Sequence, residues 1–205
     1  TTYTLAGTDG GNYSLVGETL QADVTAKAIT ASGITASDRV YDATTTASLN
    51  TGSAGLNDVV SGDTVELDFS TTTGAFADKN VGEDKAVTVS GLLLSGTDAG
   101  NYTVTDNSGA TADITQKAVT LTGMAASDKV YDGETTASVS DYGLLTGLIT
   151  GDTVTLDSSS ATANYADKHV GSDKLITVAS LALSGTDGGN YVIGNHETMA
   201  DITPK

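Results

Sequence analysis

The chain repeats itself, and that repetition limits its possible folds more than any single residue does. Asp38-Arg39-Val40-Tyr41-Asp42 returns as Asp128-Lys129-Val130-Tyr131-Asp132, 90 positions later. Gly62-Asp63-Thr64-Val65 returns as Gly151-Asp152-Thr153-Val154, and Phe76-Ala77-Asp78-Lys79 as Tyr165-Ala166-Asp167-Lys168, each 89 positions later. The run from Gly7 to Tyr13 appears again at Gly96 to Tyr102 and at Gly185 to Tyr191. Such a period is too long for a solenoid unit and fits a tandem array of small whole domains. Residues 1–27 read as the last part of a preceding copy, 28–117 as one full copy and 118–205 as another. The chain is therefore expected to be a piece of a longer protein.

The hydrophobic pattern within a copy has a period of two. Val65, Leu67 and Phe69 alternate with Glu66 and Asp68, and Val119 and Leu121 with Thr120 and Thr122. This is the signature of strands with one buried face. Turn signals fall between them, as at Ser61-Gly62-Asp63, Asn107-Ser108-Gly109 and Thr150-Gly151-Asp152. The spacing predicts an all-β chain of tandem small β-sandwich (immunoglobulin-like) domains in an elongated, end-to-end arrangement. One helical turn is allowed at Leu56–Val60 and at Leu144–Ile149. Only 5% of residues are aromatic and none is Trp, so the core must be built from small aliphatic side chains with a few Tyr and Phe.

At the junctions, Ala112-Asp113-Ile114-Thr115 runs through Gln116 and Lys117 into Ala118-Val119-Thr120-Leu121, with no Gly/Ser or Pro spacer. Flexible linkers need several small polar residues, so stiff joints are expected.

Charge and cysteine content narrow the function. The formal net charge is −17, with nine Lys plus Arg, so binding to nucleic-acid phosphates is not expected. An acidic surface keeps a protein soluble and makes neighbouring copies repel. There is no Cys, which removes disulfides, thiolate chemistry and Cys-based zinc sites. No apolar run has the length of a membrane span, and membrane insertion is not expected.

Three motifs carry the candidate sites. The first is Val-Tyr-Asp, with Tyr41 and Asp42, then Tyr131 and Asp132. It reads as a turn whose Tyr packs at the core edge and whose Asp accepts backbone N–H groups. Gly133 follows in one copy and Ala43 in the other, so no left-handed residue is expected there. The second is Gly-Thr-Asp-x-Gly-Asn-Tyr, whose Tyr102 and Tyr191 suggest a tyrosine corner, the hydroxyl returning to a nearby backbone group. Asp98, Asn101, Asp187 and Asn190 in the same motif are weak calcium candidates, although the spacing fits no EF-hand or nonapeptide loop. The third is Ala77 to Lys85, repeated at Ala166 to Lys174, a polar loop of solvent-screened ion pairs. An isopeptide cross-link there would need a buried Lys beside a carboxylate.

Catalysis is not expected, and no cofactor is implied. His169 and His196 are not duplicated, and Asn80 stands at the place of His169 in the first copy. No nucleophile elbow, phosphate loop or dinucleotide fingerprint is present.

Taken together, Asp128–Gly133, Tyr165–Gly171, Gly185–Tyr191 and Ala200-Asp201-Ile202-Thr203-Pro204-Lys205 resemble the YDG repeat. The resemblance covers both full copies and the leading residues. It implies a β-rich module of very large secreted bacterial adhesins, including filamentous-haemagglutinin-like and two-partner-secretion exoproteins. It also implies a secreted or cell-surface location, and it implies no catalytic residues. The expected function is a stalk or spacer that projects a distal binding region for attachment, aggregation or biofilm formation. Its partners are then the neighbouring repeats of the same chain. The alternative is a multivalent module binding a surface polysaccharide, a host glycan or a protein.

Overall fold

The computed structural model describes residues 3–17, 19–106 and 108–205. Asn107, in one of the expected turns, lies outside the described residues, as do Thr1, Thr2 and Glu18 of the leading segment. Among the described residues the chain is strand and turn, with helix confined to single 3-10 turns at Gly10–Asn12, Ala99–Asn101 and Gly188–Asn190. No helix among them is long and apolar enough to cross a membrane.

Each copy places its first strand centrally between two others. Lys27–Ser32 pairs in parallel with Tyr102–Asp106 and antiparallel with Gly55–Asn57. In the second copy Lys117–Thr122 pairs with Tyr191–Ile193 and Leu144–Thr146 in the same senses. The Leu56 and Leu144 regions, allowed a helical turn by the sequence, are therefore strands. Their backbone groups are needed by the central strand, and tertiary pairing overrides local propensity. A second sheet follows in each copy. In the first its order is Arg39–Val40, Thr111–Thr115, Gly82–Ser90, Thr73–Phe76 and Thr46–Ala47. In the second it runs Lys129–Val130, His196–Thr203, Gly171–Ala179 and Thr162–Tyr165.

The all-β expectation holds, with curled sheets. The finer expectation of an immunoglobulin-like sandwich meets a departure: the sheets are mixed. The parallel pairs Lys27–Ser32 with Tyr102–Asp106 and Arg39–Val40 with Thr111–Thr115 draw together segments about 75 residues apart. The period-two pattern does what it predicts locally. Along Lys117–Thr122, Val119 and Leu121 are buried while Ala118, Thr120 and Thr122 are exposed.

The chain passes from one copy to the next through a single residue. Thr111–Thr115 ends in the first copy's sheet, Gln116 follows, and Lys117–Thr122 begins in the second copy's sheet. The packing follows the chain. One buried cluster joins Tyr41, Phe76, Val87 and Ile114 of the first copy to Val119 and Tyr191 of the second. A separate cluster of Tyr165, Ile176, Val178, Ala200 and Ile202 fills the second copy's own second sheet.

Candidate functional site

The most elaborate polar cluster of the molecule lies where the copies meet, and the repeated motifs build it. Tyr41 follows the edge strand Arg39–Val40, and its N–H donates to Thr115 O at 2.9 Å. That bond fixes the backbone so that the ring faces the second copy. There it packs edge-on against Tyr191, with ring centroids 5.4 Å apart and planes at 74°. Such T-shaped pairs place a ring edge on the electron-rich face of the other ring.

Asp152, from Gly151-Asp152-Thr153-Val154, is the hub. Its side chain is only 4% exposed. Tyr41 Oη donates to Asp152 Oδ2 at 2.9 Å, and Tyr191 Oη donates to the same oxygen at 2.6 Å. Lys79 of the first copy donates from Nζ to Asp152 Oδ1 and to Asp187 Oδ1, both at 3.0 Å. Its ammonium also lies 5.7 Å from the centroid of the Tyr41 ring. Burial alone would raise the Asp152 carboxyl, but the bonds from Tyr191, Lys79 and Tyr41 hold it below its ordinary value. Asp187 is held low by the Thr153 N–H and then by Lys79. Lys79 is raised by Tyr41, Asp187 and Asp152. Burial, then Asp152, pushes Tyr191 up to about 12.

Backbone groups close the rest of the joint. Val81 N–H donates to Asn190 Oδ1 at 2.9 Å, and Asn190 Nδ2 donates to Asn80 Oδ1 at 3.1 Å. Gln116 Nε2 donates to the carbonyls of Gly189 and Tyr191 at 3.0 and 3.1 Å.

The sequence candidates thus separate into three places. Tyr41, Asp187, Asn190 and Tyr191 come together in the joint. Asp98, Asn101 and Tyr102 form the equivalent surface at the opposite end of the first copy. Tyr131 and Asp132 lie at the far end of the second. Asp42 and Asp132 serve the turns. Asp42 accepts from Arg39 and from Thr44 N–H, and Asp132 from Lys129 and Glu134 N–H.

Two expectations need correction here. The residue after the Val-Tyr-Asp motif is left-handed in both copies, with φ 64° at Ala43 and 86° at Gly133. In both copies the Asp side chain accepts the N–H two residues on, spanning this left-handed residue. The tyrosine corner also fails. Tyr102 Oη accepts from Val60 N–H and Tyr191 Oη from Ile149 N–H, 42 positions upstream in each case, and each donates to the Asp of Gly-Asp-Thr-Val. The ring bridges two distant loops, where a tyrosine corner would span one local turn.

Both aspartates among the calcium candidates give Oδ2 to a backbone N–H, and Asp187 Oδ1 and Asn190 Oδ1 are taken by Lys79 and Val81. Asp98 Oδ2 accepts from Thr64 N–H at 2.8 Å, and Asp187 Oδ2 from Thr153 N–H at 2.9 Å. Among the described residues, no three His, Asp or Glu side chains are grouped to hold a metal ion. In the polar loops the ion pairs join Lys85 to Asp78 and Lys174 to Asp167.

The same motifs in the same order, folded into closely corresponding sheets in both copies, match the YDG domain at residues 25–110 and again at 115–200. The chain belongs to the YDG domain family. Comparison with curated proteins and with solved structures gives no match. The name-giving Tyr and Asp of the first YDG repeat now have distinct tasks: Tyr41 reaches the next repeat, while Asp42 shapes the turn that presents it. Sequence reasoning missed Lys79 and Asp152 as partners of Tyr41, Asn80 as the partner of Asn190, and Gln116 as the donor to the Gly189 and Tyr191 carbonyls. Their motifs recur visibly, but the contacts run from one YDG repeat to the next, and recurrence within each repeat does not show that.

Proposed function

We propose that these YDG repeats form a non-catalytic, stiff spacer in a secreted or cell-surface bacterial adhesin, with the repeats arranged end to end. The observation that carries this reading is the joint. A single residue, Gln116, separates strands in two sheets, and Tyr41, Lys79, Asp152, Asp187 and Tyr191 tie the two sides together. A hinge would place slack and solvated polar groups at this position. The accessible surface of 12680 Å² also favours an extended shape, since a compact monomer of 20.5 kDa exposes about 8,900 Å². Residues 3–17 and 19–26, exposed almost throughout, contribute part of that excess. The charge of −17 opposes collapse of one repeat onto another.

Tyr41, Asp187, Asn190 and Tyr191, which a repeated glycan site would present, are engaged in the joint, which favours the spacer over multivalent binding. Small-angle X-ray scattering tests the proposal. A compact globule of this length has a radius of gyration of ~17 Å. The spacer requires a clearly larger value and a rod-like distance distribution. A value near the globule figure would overturn it.

A further inference from the structure

Each repeat opens and closes with runs of chain that lie side by side and point the same way. In the first repeat the opening run, from Lys27 to Val40, follows the closing run, from Tyr102 to Thr115. Lys27 pairs with Tyr102 and Ala31 with Asp106 in the first sheet, and Arg39 pairs with Ile114 and Val40 with Thr115 in the second. The partners are 75 positions apart at each of these pairs, so one parallel register runs through both sheets. In the second repeat Lys117 pairs with Tyr191, and Val130 with Thr203, again in parallel.

Side chains bridge the two runs where the backbone ladder lapses between the sheets. In the first repeat Ile34 N–H donates to Ser108 Oγ at 3.2 Å, and Asp113 N–H donates to Asp38 Oδ1 at 2.8 Å. In the second, Leu121 N–H donates to His196 Nε2 at 2.8 Å, Thr198 Oγ1 donates to Met124 O at 3.1 Å, and Asp201 N–H donates to Asp128 Oδ1 at 2.8 Å. The end of each closing run is then fastened to the opening run. Thr115 O accepts from Tyr41 N–H at 2.9 Å, and Thr203 O accepts from Tyr131 N–H at 2.8 Å. Asp38 and Asp128 begin the repeated Asp-x-Val-Tyr-Asp motif, and neither belongs to the joint. Bridging the two runs is their task.

The chain enters a repeat at the start of its opening run and leaves at the end of its closing run. Tension along the chain therefore pulls the opening run backwards and the closing run forwards, along the strands. The bonds between the runs then resist together. Antiparallel runs would place entry and exit at one end, and tension would break the same bonds one after another. A single hydrogen bond contributes little, so the number strained at once sets the resistance.

We propose that each repeat is a shear clamp that transmits tension along the chain without unfolding. The clamp follows from the strand order alone. That tension is what the repeats meet in place rests on the spacer reading.

Single-molecule force spectroscopy tests the clamp, because forced unfolding reports the unfolding barrier. The chain has no Cys, so attachment points can be set by substitution. Ala26→Cys with Ala118→Cys loads the two runs of the first repeat in shear. Ala26→Cys with Gly100→Cys holds both runs at one end and peels them apart. All three positions are exposed, and an added Cβ at Gly100 meets open space. At one pulling speed the shear pair is expected to yield at several times the force of the peel pair. Asp38→Ala is expected to lower the shear force and to leave the peel force unchanged, since peeling starts at Lys27 and Tyr102, far along the runs from Asp38. A general loss of stability would lower both. The proposal is overturned by equal forces in the two directions, or by an Asp38→Ala variant that leaves the shear force unchanged or lowers both forces alike. Scattering tests the spacer separately: an extended chain that yields equally in both directions keeps the spacer and overturns the clamp.

Discussion

At the scale of single residues, the two repeats provide an internal control. Asp63 and Asp152 occupy the same place in the same motif, but Asp63 receives one tyrosine hydroxyl while Asp152 receives two, together with the Lys79 ammonium. Replacing Asp152 leaves buried donors without an acceptor. Asp152→Ala is expected to destabilise the chain by about 3 kcal/mol, measured by urea denaturation, and Asp63→Ala by less. Equal losses would mean that the contacts across the joint contribute nothing. Ala43 provides a second contrast. It sits at φ 64° where the second repeat has Gly133, and a Cβ in that conformation is strained. Ala43→Gly is expected to stabilise the chain by about 1 kcal/mol once the entropy of the added glycine is counted. Thermal unfolding of that single variant checks it, and a fall in stability would refute the strain argument.

At the scale of elements, the strand pair Thr111–Thr115 and Lys117–Thr122 decides the behaviour of the joint. The two strands belong to different sheets, yet Gln116 alone lies between them, and its side chain caps two carbonyls of the receiving repeat. A flexible Gly/Ser insertion after Gln116 is expected to release the joint while leaving both sheets intact. Circular dichroism would then be unchanged. In NMR spectra the Tyr41 and Tyr191 ring resonances would lose their mutual shifts, and the repeats would tumble independently. Unchanged ring shifts would show that the side-chain contacts hold the joint without the short connection. The strand pattern itself was readable from the sequence. Val119 and Leu121 point inward as their alternation with Thr predicts. The short strands at Leu56 and Leu144 were not readable, because their conformation is set by pairing with a strand far along the chain.

At the scale of the whole molecule, the charges at the joint give it a pH window. Asp152 and Asp187 have folded values below the ordinary 3.8, so their contribution is present above that value and is lost as pH falls through the lower folded values. Tyr41 and Tyr191 are raised above 10.0, Tyr191 to about 12, and Lys79 above 10.5. Their contribution is present below those ordinary values and is lost as pH rises toward the folded ones. The joint is therefore expected to hold between about pH 4 and 10 and to loosen outside that range. Other lowered carboxylates, such as Asp42 and Asp78, lie outside the joint and add to the acid limb. Subtracting the pH profile of Lys79→Ala from that of the wild type isolates the joint. A difference that stays flat across both limits would show that these ionisations do not govern it.

The sequence by itself determined the number of copies, the all-β class, the inward and outward faces of the strands and the membership of the YDG family. Each of these is local or periodic, and local chemistry fixes it. The tertiary structure decided which motif meets which. Tyr41 and Lys79 of one repeat pair with Asp152, Asp187 and Tyr191 of the next, residues 73 to 150 positions away. A repeated motif looks the same whether it packs within its own copy or against its neighbour. Only the parallel pairings that bring segments about 75 residues apart side by side, and the one-residue passage through Gln116, turn the faces of the two repeats toward each other.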